Sequence, residues 1–515
     1  MKRIISFILA LVMIFALAAC SGEIAEEEKK DEGQAAAPTS YSLDITEQVK
    51  EWKTGEKNGV SYVYAEKVMY CENPVVGAKQ CLNIYVPAAY MNTDGTLNRD
   101  AAAGGYTCAT APILYINSTG AYLGKQPYKI TETSETLAGK EGWYYNYLKE
   151  GFVLVFSGAR GRADYSQANN DKATGKAPIG LSDLKAGIRF VKHNAANFPG
   201  DTGKIISNGM SAGGAMSTLI AVSGNSNEFD SYLQEIGAAM DATDDVYAAQ
   251  IYCPIIDLEN ADLAYAWFFA NDTSAKSEGL SDFQKALVSS MYVDYIEYLN
   301  SLGLTVDGVN YDLGADGRSG GFNDFILEQY GISAERYTAE TGEAASANFA
   351  TIDDVVHNHN QRSKVTPSFD SFDLSSSENG VFGSHDSSLG KEGFLRHFSV
   401  PVTEEIAKQK DAFPTEYAEY YEAYKTDSDK SDVQEQVRLY NPWTYLTANN
   451  TDMAKHFRVC VGTQDSDTAP AISAALVLKL RSLGIDTEYN LIWGKGHTDA
   501  DYADAFEAWV NGISK

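Results

Sequence analysis

The sequence predicts an α/β protein with a mostly parallel sheet of about eight strands and a large insertion before the last two. Two observations carry this. Short, continuous apolar runs, residues 112–117 and 152–156, have the composition of strands covered on both faces by helices, and helical patterns alternate with them. Between about residues 257 and 446 that alternation breaks down, then returns for two final strands and a closing helix.

The first forty residues stand apart. Lys2 and Arg3 precede an apolar stretch, residues 4–19, too short and wrongly flanked for a membrane span. It ends in Leu17-Ala18-Ala19-Cys20 and continues Ser21-Gly22. This resembles a bacterial lipoprotein signal, which implies that Cys20 becomes the lipidated first residue; an ordinary secretory signal is the alternative. Residues 20–40 are polar, with the run Glu26-Glu27-Glu28-Lys29-Lys30-Asp31-Glu32, and read as a solvated tether. The expected location is therefore extracytoplasmic, anchored to the membrane only through lipid on Cys20.

Residues 41–515 exceed one ordinary domain. The expected organisation is a core over residues 41–256, a lid or cap insertion over 257–446, and the rest of the core over 447–515. Among 515 residues, 70 acidic against 41 basic side chains give a formal charge of −29. That charge argues against nucleic acid and against adsorption on anionic lipid. Of six cysteines, five remain after Cys20, so a complete disulfide framework is excluded. Cys71 and Cys81 flank a turn and either pair or sit as two buried thiols. His357-Asn358-His359 has no further ligand nearby and reads as a solvated loop rather than a metal pair.

Along the chain, residues 60–70 and 81–86 are β-branched and aromatic runs joined by a Pro/Gly turn, the pattern of a hairpin. After the two central strands, Leu184, Ile188, Phe190 and Val191 mark a helix that Pro199-Gly200 ends. Residues 204–208 and 248–253 are further strands. Within the insertion, Ser281-Asp282-Phe283-Gln284 opens like a capping box, and Phe283, Leu287, Met291, Tyr295 and Tyr298 continue as a core stripe. Irregular sequence rich in Gly, Ser, Asp and Asn runs to about residue 390, and residues 415–424 read as helical. Residues 457–462 and 489–493 are the last strands, and Tyr502, Phe506, Trp509 and Val510 the stripe of the closing helix.

The chemistry concentrates after the strand at 204–208, where Gly209-Met210-Ser211-Ala212-Gly213-Gly214 has the form of a nucleophile elbow. A sharp strand-to-helix turn leaves no room for side chains at the flanking glycines. It lifts the Ser211 hydroxyl clear of the sheet and turns the Ala212 N–H toward a developing oxyanion. Asp465 comes after the strand at 457–462, and His497 after the one at 489–493. Serine, acid, histidine is the chain order of an α/β-hydrolase triad. A serine hydroxyl needs a base within hydrogen-bond reach, imidazole titrates near working pH, and a carboxylate fixes its tautomer. Asp467 and Asp499 lie close to Asp465 and compete with it on spacing alone. Gly120, in Ser118-Thr119-Gly120-Ala121, offers a second oxyanion amide. The chemistry requires no cofactor and no metal.

The strings Ser207-Asn208-Gly209-Met210-Ser211-Ala212-Gly213-Gly214, Asp465-Ser466-Asp467 and His497 resemble the bacterial tannases, α/β-hydrolases with a large lid that cleave galloyl esters. The resemblance implies that Asp465 completes the triad. It also implies that Asp467, Lys364 in Arg362-Ser363-Lys364-Val365-Thr366-Pro367, and Glu378 in Ser377-Glu378-Asn379-Gly380 hold the galloyl ring. One ammonium and two carboxylates can engage three adjacent ring hydroxyls, and rings lacking them would leave those groups unpaired. Trp267, Phe268 or Phe269 is the expected apolar wall. The phenolic ester is then the only partner. Rival readings are an esterase for feruloyl or other phenolic and carbohydrate acyl groups, and a non-catalytic ligand-binding lipoprotein.

Overall fold

In the computed structural model, residues 40–133, 143–162, 164–166, 172–345, 349–382, 397–428, 431–502 and 505–514 are described. The leader, Cys20 and nearly all of the tether lie outside them. Residues 41–515 form one compact unit around a nine-stranded sheet. Its strands are β1 (Lys53–Lys57), β2 (Val60–Met69), β3 (Cys81–Pro87), β4 (Ile113–Asn117), β5 (Val153–Ser157), β6 (Ile205–Met210), β7 (Ala248–Tyr252), β8 (His456–Gly462) and β9 (Asp486–Ile492). Across the sheet they run β1-β2-β3-β5-β4-β6-β7-β8-β9.

The predicted hairpin is present, β2 against β3, with a register shift between Ala65 and Val68. Strands β5, β4, β6, β7, β8 and β9 are parallel, pairing for example Ile206 with Leu114 and Ile206 with Ala248. Every residue of β4, β5 and β7 is buried, as continuous apolar runs require of central strands. The ninth strand, β1, escapes sequence reading because Lys-Thr-Gly-Glu-Lys has no apolar side; it is an exposed edge strand pairing only with β2. Cys71 and Cys81 are separate buried thiols.

Helices cover the sheet. The anticipated α1 (Ile179–His193) buries Leu184, Ile188, Phe190 and Val191, together with three charges that are each paired, Asp183, Lys185 and Arg189, the last with Asp244 at 2.6 Å. Asp183 meets Arg160 at 2.8 Å, and Lys185 meets Asp244 at 2.7 Å, so none of these charges is buried alone. α2 (Ala212–Val222) comes after β6 and is buried along its whole length.

Between β7 and β8 the chain adds no strand to the large sheet. It forms α3 (Ala261–Phe268), α4 (Asp282–Ser301), α5 (Gly321–Thr341) and α6 (Ile352–Asn358), then helical turns including Pro414–Glu416 to Glu422–Ser428. The capping box at Ser281 and Gln284 is complete, and Phe283, Leu287, Met291 and Tyr295 are core. The 21-residue helix α5 falls where irregular sequence is expected. Its buried face mixes Phe322, Phe325, Ile326 and Tyr330 with Asn323 and Ser333, so its apolar periodicity is faint. Tertiary contacts hold it instead: Phe325 stacks on Tyr489 of β9, and Tyr330 donates to the Thr463 carbonyl at 3.1 Å.

α7 (Pro470–Ser482) packs on β8 and β9, and α8 (Ala505–Ser514) closes the chain with Phe506, Trp509 and Val510 buried. Parallel strands end at one edge, so the loops after β4, β6, β8 and β9 converge there.

Candidate active site

Ser211 succeeds the last residue of β6 and caps α2 with φ 60° and ψ −125°, a strained left-handed backbone for a residue with a Cβ. The surroundings fix that conformation. Its N–H donates to the Tyr252 carbonyl at the end of β7 (3.0 Å), and its carbonyl accepts from Ala215 (3.0 Å). A Cβ at Gly209 would lie 2.2 Å from the Gly213 carbonyl oxygen, and one at Gly213 2.7 Å from Asn117 Oδ1. The elbow therefore closes only with glycine at both positions.

Asn117, the last residue of β4 and absent from the expected site, ties the elbow to its neighbour strand. Its amide donates to the carbonyls of Asn208 (3.1 Å) and Gly213 (2.9 Å) and to Ser217 Oγ (3.0 Å). Its Oδ1 accepts the Thr119 N–H at 3.2 Å, which orders the loop carrying Gly120. The only signal in the sequence is a polar side chain ending an apolar strand. In that loop Ala121 and Tyr122 both have positive φ, and the Gly120 N–H has no acceptor among the described residues. Ala212, as the first residue of a helix, has no intrahelical acceptor for its N–H. Both amides thus stand free at the edge where Ser211 sits half-buried.

Oγ of Ser211 lies 2.8 Å from Nε2 of His497, and Nδ1 of His497 lies 2.9 Å from Oδ2 of Asp465. The competing acids do not meet the ring: Asp467 gives its N–H to Asp465 Oδ1 at 3.0 Å, and Asp499 accepts from Thr498. Asp465 is fully buried and also accepts the Thr468 N–H. Burial works against charge on His497, but the Asp465 carboxylate and Cys253 together outweigh it and raise the ring well above the ordinary imidazole value. Cys253, at φ 34°, is packed beside them, with its Sγ, an Asp465 oxygen and a His497 nitrogen within 4.8 Å of one another. Burial pushes this thiol up, which keeps it protonated, and it donates to the Thr498 carbonyl.

The acid and base loops brace each other. A Cβ at Gly462 would lie 2.1 Å from the Lys495 carbonyl, and the Gln464 N–H donates to that carbonyl at 2.8 Å. His359 is part of this brace rather than a solvated loop. Its Nε2 bonds Thr463 Oγ1 at 2.7 Å, its ring stacks on Trp493, and burial lowers it to about 4. His357 is exposed, bonded to the Asp353 carbonyl, so the two do not form a metal pair.

Lys364 and Asp467 lie close enough to Glu378 for their charges to act on it, and the Asp467 N–H bonds Asp465. Burial raises the Glu378 carboxyl, Lys364 and Arg162 oppose that rise, and Asp467 adds to it. Among the described residues none of the three is in an ion pair within 4 Å. The Lys364 ammonium sits 4.2 Å over the centre of the Phe369 ring. Arg162, unanticipated, donates to the Ala121 carbonyl (2.7 Å) and to Ser377 Oγ (3.1 Å), joining the Gly120 loop to the residue before Glu378. The expected apolar wall is corrected: Trp267, Phe268 and Phe269 are fully buried, Trp267 donating to the Gly317 carbonyl, and belong to the core of the inserted helices. The aromatic side chains adjoining the charged trio are Phe369, under Lys364, and Tyr122, whose phenol the Glu378 charge helps to raise after burial.

A cavity of about 830 Å³, bordered by Trp52, Met91, Leu97 and Arg99, lies elsewhere and includes no histidine, serine or cysteine.

The family model described as BD-FAE matches residues 140–289. The solved tannase of Fusobacterium nucleatum is similar over 92% of this chain and 100% of its own, at 30% identity and a TM-score of 0.76. The tannin acyl hydrolase of Lactobacillus plantarum is similar over 90% of this chain and 97% of its own, at 30% identity and a TM-score of 0.73. A tannin acyl hydrolase solved in complex with ethyl gallate has the same coverage, identity and TM-score. No curated protein matches.

Proposed function

The chain belongs to the bacterial tannase family of α/β-hydrolases, and on that premise we propose that it cleaves galloyl esters with Ser211 as nucleophile. Membership makes it a phenolic ester hydrolase; the finer reading concerns its residues and its ring. The observation that carries it is the hydrogen-bonded series Asp465–His497–Ser211 opening beside three charges that no ion pair closes among the described residues.

Oγ of Ser211 attacks the ester carbonyl while Nε2 of His497 takes its proton, and Asp465 holds the imidazolium. The carbonyl oxygen becomes an oxyanion that accepts from the Ala212 and Gly120 amides. Collapse expels the alcohol, which takes the proton from His497. Water then attacks the acyl-enzyme with His497 as base and releases gallate. Lys364, Glu378 and Asp467 recognise the three adjacent ring hydroxyls; a ring without them would leave a half-buried charge unpaired.

The test is release of free acid from methyl gallate, methyl ferulate and an acetylated sugar, with Ser211→Ala as control. Serine-dependent gallate release far above the others is expected, and Lys364→Ala should lower kcat/KM on methyl gallate ~10–100-fold. Preferential release of ferulate or acetate would discard the galloyl pocket, and no release at all would leave a binding lipoprotein.

The leader motif supports an extracytoplasmic enzyme anchored by lipid on Cys20. Cys20→Ser should abolish palmitate incorporation and release the protein from membranes; unchanged labelling would refute the anchor.

A further inference from the structure

Helix α3 presents two polar side chains, one turn apart, to the segment that carries Lys364. Asp262 accepts the N–H groups of Ser368, Phe369 and Asp370. Tyr265 is fully buried, and its hydroxyl makes every bond a hydroxyl can make. It donates to the Ser466 carbonyl at 2.8 Å and accepts the N–H groups of Ser363 (3.1 Å) and Lys364 (3.2 Å).

Those partners belong to both halves of the candidate ring site. Ser466 stands between Asp465 and Asp467, so its carbonyl is fixed relative to the acid of the triad and to one carboxylate of the trio. The Lys364 backbone is the root of the trio's ammonium. The Tyr265 ring also meets Phe369 edge-on with centroids 5.9 Å apart, and Phe369 is the ring under the Lys364 ammonium. Phe269 packs on the Tyr265 ring at 4.5 Å and holds it in place. One phenol thus sets both the backbone and the aromatic support of Lys364 against the Asp-x-Asp loop.

We propose that Tyr265 is a positioning residue for ring specificity, its hydroxyl registering Lys364 against Asp467 so that both reach one substrate ring. This rests on the galloyl reading. The Tyr265 hydroxyl bonds neither Ser211 nor His497, so its effect falls on recognition of the ring rather than on acyl transfer. Burial raises the phenol above its ordinary value, which keeps the donated proton in place across the working range.

The test compares wild type, Tyr265→Phe, Lys364→Ala and the double variant on methyl gallate and on p-nitrophenyl acetate, which has no ring on its acyl side. Tyr265→Phe should raise KM for methyl gallate about tenfold and leave kcat on the acetate within about twofold. Added to Lys364→Ala, it should change kcat/KM on gallate by less than about twofold, because the group it positions is gone. Equal losses on both esters, an unchanged gallate KM, or full additivity with Lys364→Ala would overturn the proposal. If Tyr265→Phe does not fold, Ser363→Ala carries the test. Ser363 Oγ donates to the same Ser466 carbonyl at 2.7 Å, and its loss should raise gallate KM about threefold. An unchanged value there overturns the proposal as well. Wild type that fails on methyl gallate while hydrolysing the acetate would instead refute the galloyl reading beneath it.

Discussion

Nδ1 of His497 lies 2.9 Å from the fully buried carboxylate of Asp465. Burial alone would lower the imidazole; the carboxylate, with Cys253 adding, reverses that and raises it well above 6.5. On the proposed mechanism only the neutral ring can accept the Ser211 proton, so the relationship would set where activity begins on the pH axis.

The acid limb of kcat/KM should therefore lie above the ordinary imidazole value. Asp465→Asn should move it down and lower kcat about 10⁴-fold, since the ring loses its charge partner and its tautomer. The sign for stability is opposite to that for rate. A histidine raised in the folded state stabilises fully below 6.5, and that stability is lost as pH rises through the folded value. Stability of wild type relative to Asp465→Asn should thus decline with rising pH in denaturant titrations. An acid limb unmoved in the variant would contradict the assignment of His497 as base.

Asn117 predicts a different kind of loss. Three amide bonds tie the end of β4 to the elbow, and none reaches a reacting atom. Asn117→Ala leaves the carbonyls of Asn208 and Gly213 short of a donor and frees the Thr119 turn, costing about 2 kcal/mol of stability. Because the loop bearing Gly120 loses its order, kcat on methyl gallate should fall about tenfold or more while KM changes little. Guanidinium unfolding and steady-state kinetics read the two effects; a rise in KM with kcat intact would place Asn117 in substrate binding instead.

The convergence of Ser211, Asp465 and His497 is legible in the sequence because each is announced by a strand end, and strand ends in a parallel sheet share one edge. Spacing does not choose Asp465 over Asp467 and Asp499. Backbone direction decides it, since Asp467 turns its own N–H back onto Asp465. Helix α5 is illegible for a related reason: its face toward β9 and the Thr463 loop is half polar, and Tyr330 and Ser333 on it meet their partners, Thr463 and Tyr502, only in the folded chain. The expected ring wall lies elsewhere because an aromatic triplet signals burial without saying in which core. Trp267, Phe268 and Phe269 serve the inserted helices, and one of them supports Tyr265. Asn117 and Tyr265 carry no sequence signature, since a single polar side chain gains its role only from what the fold brings to it.

Glu405 links the inserted helices to pH through stability alone. Its side chain is almost wholly buried, bonded to Ser290 and to Lys408 and close to Asp294. Burial chiefly, with Asp294 adding, raises it from 4.5 to about 7. A raised carboxyl keeps its proton in the folded chain where the unfolded chain has lost it, so stability falls as pH rises between those values. Tm should decline over that interval, and Glu405→Gln, which cannot ionise, should flatten the decline. Esterase activity at a temperature well below melting should not change with this substitution, because Glu405 contacts none of the candidate site residues. A Tm profile equally steep in the variant would assign the pH sensitivity to other raised carboxyls, among them Asp257, Asp262, Asp370, Glu378 and Asp499.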